Sequence, residues 1–515
     1  MDIIVLKSFL PEIFLSFCIL GHLVFNVFLI KHNTTNFPLI DKEQISQCFF
    51  IISCCLLLAY KVKIEGVFSN HLIINNNGLM TLKVLILILT LFILIPCWRH
   101  YVNDSLNFYE FFNLYLLAIL VFLLLINVND LLLVYLLIEM QSLIFYILAN
   151  FKRLSAFSTE AGLKYFISGS VFSGLFLLGC SILYGIFGTL NYYSLELLLA
   201  VPLTNYSLHI IVVISILLIT SMLLFKLTIA PFHLWGPDVY EGAPISSTII
   251  LSTVPKLILL TILMRWMAVT YYIFIDFSFL FVFLGLLSII FGIFFANRQK
   301  RLKRFIAFSS ISQLGYTMIL LSMINYDTYA GVYFFIIIYL IASIALWSFV
   351  SLFNCFRVNT AKLYLKEKTS FYLSNLSNYV KYNKFWAFSL LAIFASLAGI
   401  PPFSGFLPKV FVFIALTETH QWFLNCLLVV LSCIIIWYYV NIITLLFMEV
   451  KTKYIKTDFS SSQIIHSKMY LDEVDYLIAC LGVFLLIALF FNPSFLYLLC
   501  QYFTIFILYL IKYLF

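Results

Sequence analysis

Charged residues are scarce in this chain. Only 10% of its 515 residues are Asp, Glu, Lys or Arg, whereas soluble proteins carry about 25%. Hydrophobic residues make up 64%, and the mean hydropathy is +1.09. This balance excludes a water-soluble globular domain and predicts an integral membrane protein. The net charge of +8 is therefore no sign of a nucleic-acid partner, because its meaning depends on where the charges lie relative to the membrane.

Motifs for nucleotides and redox groups are also missing. The chain has no G-x-x-x-x-G-K-[ST] phosphate loop and no G-x-G-x-x-G after a strand, which argues against binding of ATP or NADH. Its 11 cysteines are scattered without C-x-x-C spacing, which indicates small apolar residues in helices rather than an iron–sulfur or metal site. No soluble domain is evident, so we expect no cofactor in this chain and an energy source elsewhere.

Long apolar runs account for most of the sequence. A membrane-spanning helix needs about 20 apolar residues, and the runs predict an all-α polytopic membrane protein with about fourteen such helices. The first run, Phe9 to Ile30, lacks an A-x-A-like end, so we expect a retained helix rather than a signal peptide. The predicted spans are 9–30, 46–61, 80–97, 110–128, 130–150, 163–188, 208–242, 245–268, 272–296, 304–325, 329–355, 385–418, 421–449 and 474–492, with 495–513 as a possible extra helix.

The charges between these spans alternate along the whole chain. Loops after odd-numbered spans are basic, and loops after even-numbered spans carry little positive charge, with Lys61 and Lys63 as the main exception. By the positive-inside rule, the N-terminus faces outward and the basic loops face the matrix or cytoplasm. The basic loop residues are Arg99, Lys152, Arg153, Arg298, Lys300, Arg301, Lys303, Arg304, Arg357, Lys362, Lys366, Lys368, Lys381, Lys451, Lys453, Lys456 and Lys468.

Two predicted spans, 208–242 and 385–418, are too long for one straight helix and carry prolines near their middle. They are the seventh and twelfth spans, so they cross the membrane in opposite directions. Such a pair is typical of inverted repeats with discontinuous helices; the alternative is two unrelated proline kinks. The pattern divides the chain into a three-helix segment (1–108), two inverted five-helix repeats (109–268 and 269–450) and a C-terminal helical segment (451–515).

Four ionisable residues fall near the middle of spans: Glu139, Lys226, Lys256 and Lys409. Each costs roughly 2.5–3.5 kcal/mol at the bilayer centre, or about 10–14 kcal/mol together. A Glu–Lys pair that opens and closes in hydrocarbon is a proton switch, and further lysines across a wet cavity extend it into a relay. We therefore predict a proton relay; the alternative for each residue is an interhelical ion pair with a structural role.

Other polar residues have less certain roles. His233, Asp238 and Glu241 follow the first break and are expected at the inner mouth, where they either admit protons or close the end of the helix. Arg265 and Lys83 lie near span ends, and we expect both to extend their charged groups to the membrane surface.

Several stretches resemble a known family. These are FKLTIAPFHLWGPDVYEGAPISST, SLAGIPPFSGFLPKVFVF, TEAGLKYFISGSVFSGLFLLGCSILYGIFG and RLKRFIAFSSISQLGY. They resemble the subunit 2 family of NADH–ubiquinone oxidoreductase (respiratory complex I), one of its three antiporter-like families. The combination of PFHLWGPDVYEG with a lysine after GIPPFSGF, Lys409, favours this family over its two relatives, one of which usually has glutamate at that position. Gln313 departs from the histidine often found at its position and receives no relay role.

The resemblance implies fourteen helices in two inverted repeats and a role for each buried residue. Glu139 would be the fifth-helix glutamate, Lys226 its partner, Lys256 the central relay lysine and Lys409 the lysine nearest the exit. The parent complex would use FMN, iron–sulfur clusters and ubiquinone in other subunits. Partners would be the other membrane-arm subunits and lipids such as cardiolipin. The location would be the mitochondrial inner membrane, or alternatively a plastid thylakoid or bacterial inner membrane.

Two alternatives remain open at this point. One is a stand-alone or Mrp-type cation/proton antiporter subunit. The other is a structural arm subunit that has lost its pump, against which the four retained charges argue.

Overall fold

The structure is a computed structural model that describes residues 7–32, 41–62, 65–68, 72–103, 110–152, 155–201, 206–323, 325–361, 372–376, 384–447 and 473–512. The basic loop residues predicted at 362–381 and 451–468 lie outside these ranges. Apart from a small hairpin, the described elements are helices, as the composition predicts. The hairpin pairs β1 (Gly66–Phe68) with β2 (Ile73–Asn75) in antiparallel register, Gly66 opposite Asn75.

Nineteen α-helices are described along the chain. In order they are α1 Leu10–His32, α2 Asp41–Lys61, α3 Asn77–Asn103, α4 Glu110–Asn127, α5 Leu131–Ala149, α6 Ala156–Phe187, α7 Tyr192–Ala200, α8 Tyr206–Lys226, α9 Trp235–Gly242, α10 Ile245–Ser252, α11 Val254–Val269, α12 Tyr271–Arg298, α13 Leu302–Leu321, α14 Tyr326–Ala361, α15 Lys384–Ala398, α16 Phe406–Glu418, α17 Trp422–Phe447, α18 Glu473–Phe491 and α19 Ser494–Lys512.

Eleven described segments are long and apolar enough to cross a membrane, and a twelfth is added if α18 and α19 are counted as one bent span. The prediction of about fourteen spans is higher for two physical reasons. Serines and Gln313 lower the hydropathy of α13, and the twelfth predicted span is divided into two short helices, α15 and α16. The possible extra helix at 495–513 corresponds to α19, which turns by 88° from α18.

Both spans that were predicted to be interrupted are broken in the structure. The first is divided into α8 and α9 around Pro231, and the second into α15 and α16 around Pro401 and Pro402. A further break was not predicted: Thr253 separates α10 from α11, with Pro255 in the first turn of α11. Proline lacks a backbone N–H, so the helix ladder cannot continue through it.

Helix α11 lies at the centre of the bundle, with all of its residues buried. A helix that is apolar all round can be surrounded by protein or by lipid. Protein surrounds α11, which contacts α4, α14 and α19 among its neighbours. Arg265 on this helix does not extend to the surface as expected. It is 4% exposed and donates to the carbonyl oxygens of Ile126 and Val128, at 2.8 and 3.0 Å, where α4 ends.

Lys83 also differs from the expectation. It is fully buried and forms an ion pair with Glu12 of α1. A nearby carboxylate, which the sequence separates from it by 71 positions, removes the need for the ammonium group to reach the surface.

Small residues let α12 and α13 pack closely. A Cβ atom added at Gly315 would lie 2.7 Å from the carbonyl oxygen of Gly285 and 2.6 Å from Ile289 Cγ1. Lipid tails are as apolar as the helix surfaces, so no hydrophobic driving force brings helices together within a membrane. Close backbone approach of this kind favours their association instead.

We expect Gly315→Ala to lower stability, because the added methyl group meets the backbone of α12. Overpacking of this kind costs about 1–3 kcal/mol. The matched control is Gly331→Ala on α14, where the nearest atom to the new Cβ lies at 3.6 Å. Thermal unfolding of the detergent-solubilised protein measures the difference, and equal melting temperatures for the two variants would contradict the prediction.

Candidate functional site

The first helix break places Lys226 at the end of α8. Beyond it, Thr228 adopts a left-handed conformation (φ 60°) and Pro231 ends the ladder. The carbonyl oxygen of Phe225 accepts two hydrogen bonds, one of 3.0 Å from the Thr228 amide and one of 2.9 Å from Trp235 Nε1. The Trp235 ring stacks on Tyr165 with centroids 4.4 Å apart. The Trp235 side chain therefore joins the two helices on either side of the break.

Lys226 lies among aromatic rings rather than against a carboxylate. It is 8% exposed, and its Nζ lies 5.1 Å from the Tyr165 ring centroid and 5.4 Å from that of Tyr146, within cation–π range. Glu139, half-buried on α5, is close enough to interact electrostatically with Lys226. Its carboxylate accepts a hydrogen bond from Ser142, and in the described part of the chain the two charges form no salt bridge. The geometry is that of an open pair.

The unpredicted break between α10 and α11 positions Lys256. Its Nζ donates to the hydroxyl of Tyr339 on α14 at 3.2 Å and lies 5.9 Å from the ring of Tyr240 on α9. Lys256 is 2% exposed. Among the described residues, no carboxylate lies within salt-bridge distance of it. Its polar partner is therefore a tyrosine hydroxyl.

The second long break positions Lys409 in the first turn of α16. Its Nζ donates to the carbonyl oxygen of Ala398, the last residue of α15. Gly399 has φ +79°, and a Cβ there would lie 2.8 Å from Lys409 Nζ, so only glycine leaves room for the lysine. Gln313 donates to the neighbouring carbonyl oxygen of Leu397 at 2.9 Å. Two polar side chains thus satisfy the carbonyl groups that this break releases.

A small cavity lies between Lys256 and Lys409. It offers about 20 Å³ to the centres of water molecules and is lined by Gln313, Tyr339, Ser396 and Pro408, among others. That volume is sufficient for a water molecule where polar partners are present. Tyr339 therefore touches both Lys256 and the cavity, and Gln313 connects the cavity with the second break.

The three residues expected at the inner mouth do not form one group. Asp238 pairs with Arg304 and with Lys164, the latter at 2.9 Å, and Glu241 pairs with Arg301 and Arg304. His233 is separate: it is buried and its ring stacks on Phe291 at 5.5 Å. The two carboxylates thus join α9 to α6 and α13 in an ion network.

Tyrosines are the site residues that sequence reasoning missed. It assigned the aromatic content to lipid contact and core filling, yet the rings around the three lysines are mostly tyrosines. The Tyr316 ring centroid lies 5.8 Å from Lys409 Nζ. The sequence signal for these residues was that tyrosine, which carries a hydroxyl group, occurs in spans whose other aromatic residues are mostly phenylalanine. Lys164, Arg301 and Arg304 were missed as partners because sequence separation hides their proximity.

Fold and site together define a polytopic helical membrane protein with ionisable side chains buried at helix breaks. Residues 128–435 match the NADH:quinone oxidoreductase/Mrp antiporter transmembrane family. The chain belongs to this family, and the resemblance inferred from its motifs is confirmed.

Individual relatives agree with this membership. The chain is 32% identical over 457 residues to NADH-quinone oxidoreductase subunit N of Pelagibacter ubique, covering 88% of this chain and 92% of that protein. It is 32% identical over 450 residues to NADH-ubiquinone oxidoreductase chain 2 of Marchantia polymorpha, covering 85% and 88%.

Solved structures share the fold. A chain of respiratory complex I from Thermus thermophilus with bound aureothin has a TM-score of 0.72 at 22% identity, covering 95% of this chain and 99% of that one. A chain of the Mrp complex from Dietzia sp. has a TM-score of 0.77 at 18% identity, covering 97% of each. These identities support the shared fold alone, and both kinds of complex use it.

Replacing Tyr339 by Phe is expected to slow proton transfer past Lys256, because it removes the hydroxyl group that Nζ contacts. A positioned proton-transfer group contributes about 10²–10⁴-fold to its step, so a loss of about tenfold in proton translocation is expected even if another step shares control. The control is Tyr333→Phe on the same helix, whose buried hydroxyl has no hydrogen-bond partner among the described residues. Equal rates for the two variants would exclude Tyr339 from the path.

Glu241→Gln tests whether the inner network closes the helix end or admits protons. Its arginine partners are more than a third exposed, so solvent screening limits the expected loss to about 1 kcal/mol of unfolding free energy. Closure predicts lower thermal stability with proton translocation retained within about twofold, a change too small for loss of a proton-transfer group. Glu160→Gln, at an exposed i,i+4 pair with Lys164, is the control. Loss of translocation without loss of stability would assign proton entry to Glu241.

Proposed function

We propose that this chain is a proton-translocating, antiporter-like subunit in the membrane arm of an NADH:quinone oxidoreductase. Protons would move along Glu139, Lys226, Lys256 and Lys409, driven by quinone reduction in other subunits. The observation that supports this most directly is that three lysines are buried at three helix breaks without a carboxylate in salt-bridge contact among the described residues. An ammonium group is expensive in hydrocarbon, and a purely structural role needs no such group.

The tyrosines supply the connections between these positions. Lys226 lies against the Tyr165 ring, and Lys256 lies against the Tyr240 ring. Lys256 donates to Tyr339, which borders the water-sized cavity next to Gln313. Each intervening gap is thus bordered by a hydroxyl group that both donates and accepts. Because Gln313 does not titrate, water and Tyr339 carry the proton across this part of the path.

The architecture we propose has fourteen spans in two inverted five-helix repeats, 109–268 and 269–450, flanked by segments 1–108 and 451–515. The two long breaks support it, because each lies in the predicted fourth helix of its repeat. Each is followed or preceded by a buried lysine at the break. Because the two broken helices would cross the membrane in opposite directions, each half of the proton path would contain one of the two lysines.

The chain would act as part of an enzyme, NADH:ubiquinone reductase, without a redox or nucleotide site of its own. FMN, iron–sulfur clusters and ubiquinone would belong to the parent complex. The partners would be the other membrane-arm subunits and lipids such as cardiolipin. We place the complex in the mitochondrial inner membrane, with a plastid or bacterial membrane as the alternative.

A second candidate is a stand-alone or Mrp-type cation/proton antiporter subunit. The fold shared with a chain of the Mrp complex from Dietzia sp. favours it as strongly as the complex I fold favours the first. Purifying the native assembly separates the two: quinone-reducing partner subunits support the first function, and a lone chain or partners without them support the second.

Lys256→Ala is expected to abolish most proton translocation while the assembly remains intact. The side chain is buried and touches only Tyr339 by hydrogen bonding among the described residues, so its removal breaks the path without exposing an unpaired carboxylate. We expect a decrease of about tenfold or more in pumping into proteoliposomes, and Lys226→Ala should behave alike. The control is Lys300→Ala at an exposed position. Normal pumping by an assembled Lys256 variant would refute the proposed relay.

A further inference from the structure

A second buried ion pair lies outside the line from Glu139 to Lys409. It joins Glu12, in the first turn of α1, to Lys83, in the second turn of α3. The two residues are 4% and 0% exposed. Both helices have the pair near their N-terminal ends, so the pair lies toward the membrane side that the charge pattern predicts to be outer.

The pair is incompletely satisfied. Glu12 Oε2 is buried and has no hydrogen-bond partner in the part of the chain that the structure describes, although a carboxylate can accept at both oxygens. The neighbours are apolar or weakly polar: Lys83 Nζ lies 5.8 Å from the Phe9 ring, and Cys55 on α2 donates to the Pro11 carbonyl oxygen at 3.8 Å. A structural ion pair in hydrocarbon is expected to have its remaining lone pairs satisfied. An unfilled acceptor indicates a site for a proton or a water molecule.

Buried polar groups lead from this pair toward the hairpin. Ser8 lies one helical turn before Glu12, and Asn75, in β2, donates to the Ser8 carbonyl oxygen at 3.3 Å. Both side chains are fully buried, and Asn75 Oδ1 has no hydrogen-bond partner among the described residues. One buried acceptor atom without a donor thus lies beside the pair, toward the predicted outer end of the bundle.

We propose that Glu12 and Lys83 form a second proton-exchange site, which serves the N-terminal helices. In the paired state, Glu12 is a carboxylate and Lys83 an ammonium. Transfer of one proton from Nζ to the carboxylate leaves a neutral amine and a carboxylic acid with no change in net charge. The acid then releases its proton to water at the predicted outer end, on the side of Asn75, and the amine takes up a proton from water to restore the pair. This inference rests on the proposed function, because the site serves proton translocation by the same chain.

A purely structural pair makes a different prediction. Replacing both partners of a buried ion pair with neutral groups of similar volume is generally tolerated, whereas removing one partner leaves an unpaired charge. The double variant Glu12→Gln with Lys83→Met therefore keeps the packing and removes the titrating groups. Glu12→Gln alone should reduce accumulation of the chain through its unpaired ammonium.

The experiment measures protons pumped per NADH oxidised by the purified native complex in liposomes. We expect the double variant to assemble and to show a lower ratio than Thr90→Ala, a buried control two turns farther along α3 whose hydroxyl contacts only its own helix. An unchanged ratio in the assembled double variant would overturn the proposal. Lys256→Ala is measured in parallel: normal pumping by that variant refutes the proposed function itself, and normal pumping by the double variant alone refutes only this site.

If the double variant fails to assemble, a measurement on the unaltered complex tests the proposed exchange site. A hydrophobic carbodiimide modifies buried carboxyl groups in their protonated form, and peptide mass mapping locates the adduct. Modification of Glu12 during turnover supports the exchange site. Absence of an adduct at Glu12, with adducts elsewhere in the complex, shows a permanently ionised structural pair and overturns the proposal.

Discussion

The need to satisfy backbone polar groups in hydrocarbon governs both the fold and the site. An unbroken helix meets this need by itself, but a proline releases carbonyl groups that must find other donors. At the second break, Lys409 and Gln313 donate to the carbonyl oxygens of Ala398 and Leu397. At the first break, Trp235 adds a second donor to the Phe225 carbonyl oxygen, which already accepts from the Thr228 amide. At the second break, the side chain that stabilises the interruption is also the candidate proton carrier. Fold and function there depend on the same contact.

Aromatic rings solve the complementary problem of holding an ammonium group away from water. Lys226 and Lys256 each face two tyrosine rings within 6 Å, and such contacts are worth about 2 kcal/mol or more when they are desolvated. A carboxylate in direct contact would stabilise the charge more strongly and hold the proton in place. Tyrosine gives weaker stabilisation together with a hydroxyl group, so it suits a position that must both hold and release a proton.

Full ion pairs occur instead at the periphery of this path. The inner network of Asp238 and Glu241 with its basic partners fastens α9 to α6 and α13, so it connects the two predicted repeats. At the predicted outer end, Glu12 and Lys83 connect α1 with α3. The inner pairs are partly hydrated, which makes them inexpensive, whereas the Glu12–Lys83 pair is buried and costs more to form. That cost favours a functional role for the Glu12–Lys83 pair.

The sequence by itself determined the membrane class, the two long breaks and the four buried ionisable residues. Hydropathy and proline position are local properties of the chain, and a charge within an apolar run is visible wherever it packs. Tertiary structure decided the partners: Tyr339 for Lys256, Ala398 for Lys409, and Glu12 for Lys83, which sequence reasoning expected at the surface. It also decided that Lys256 lies in the first turn of a helix that begins after Thr253, rather than about a dozen residues into a continuous one. Contacts between residues far apart in sequence depend on how the helices pack, and periodicity along a single chain carries no record of that packing.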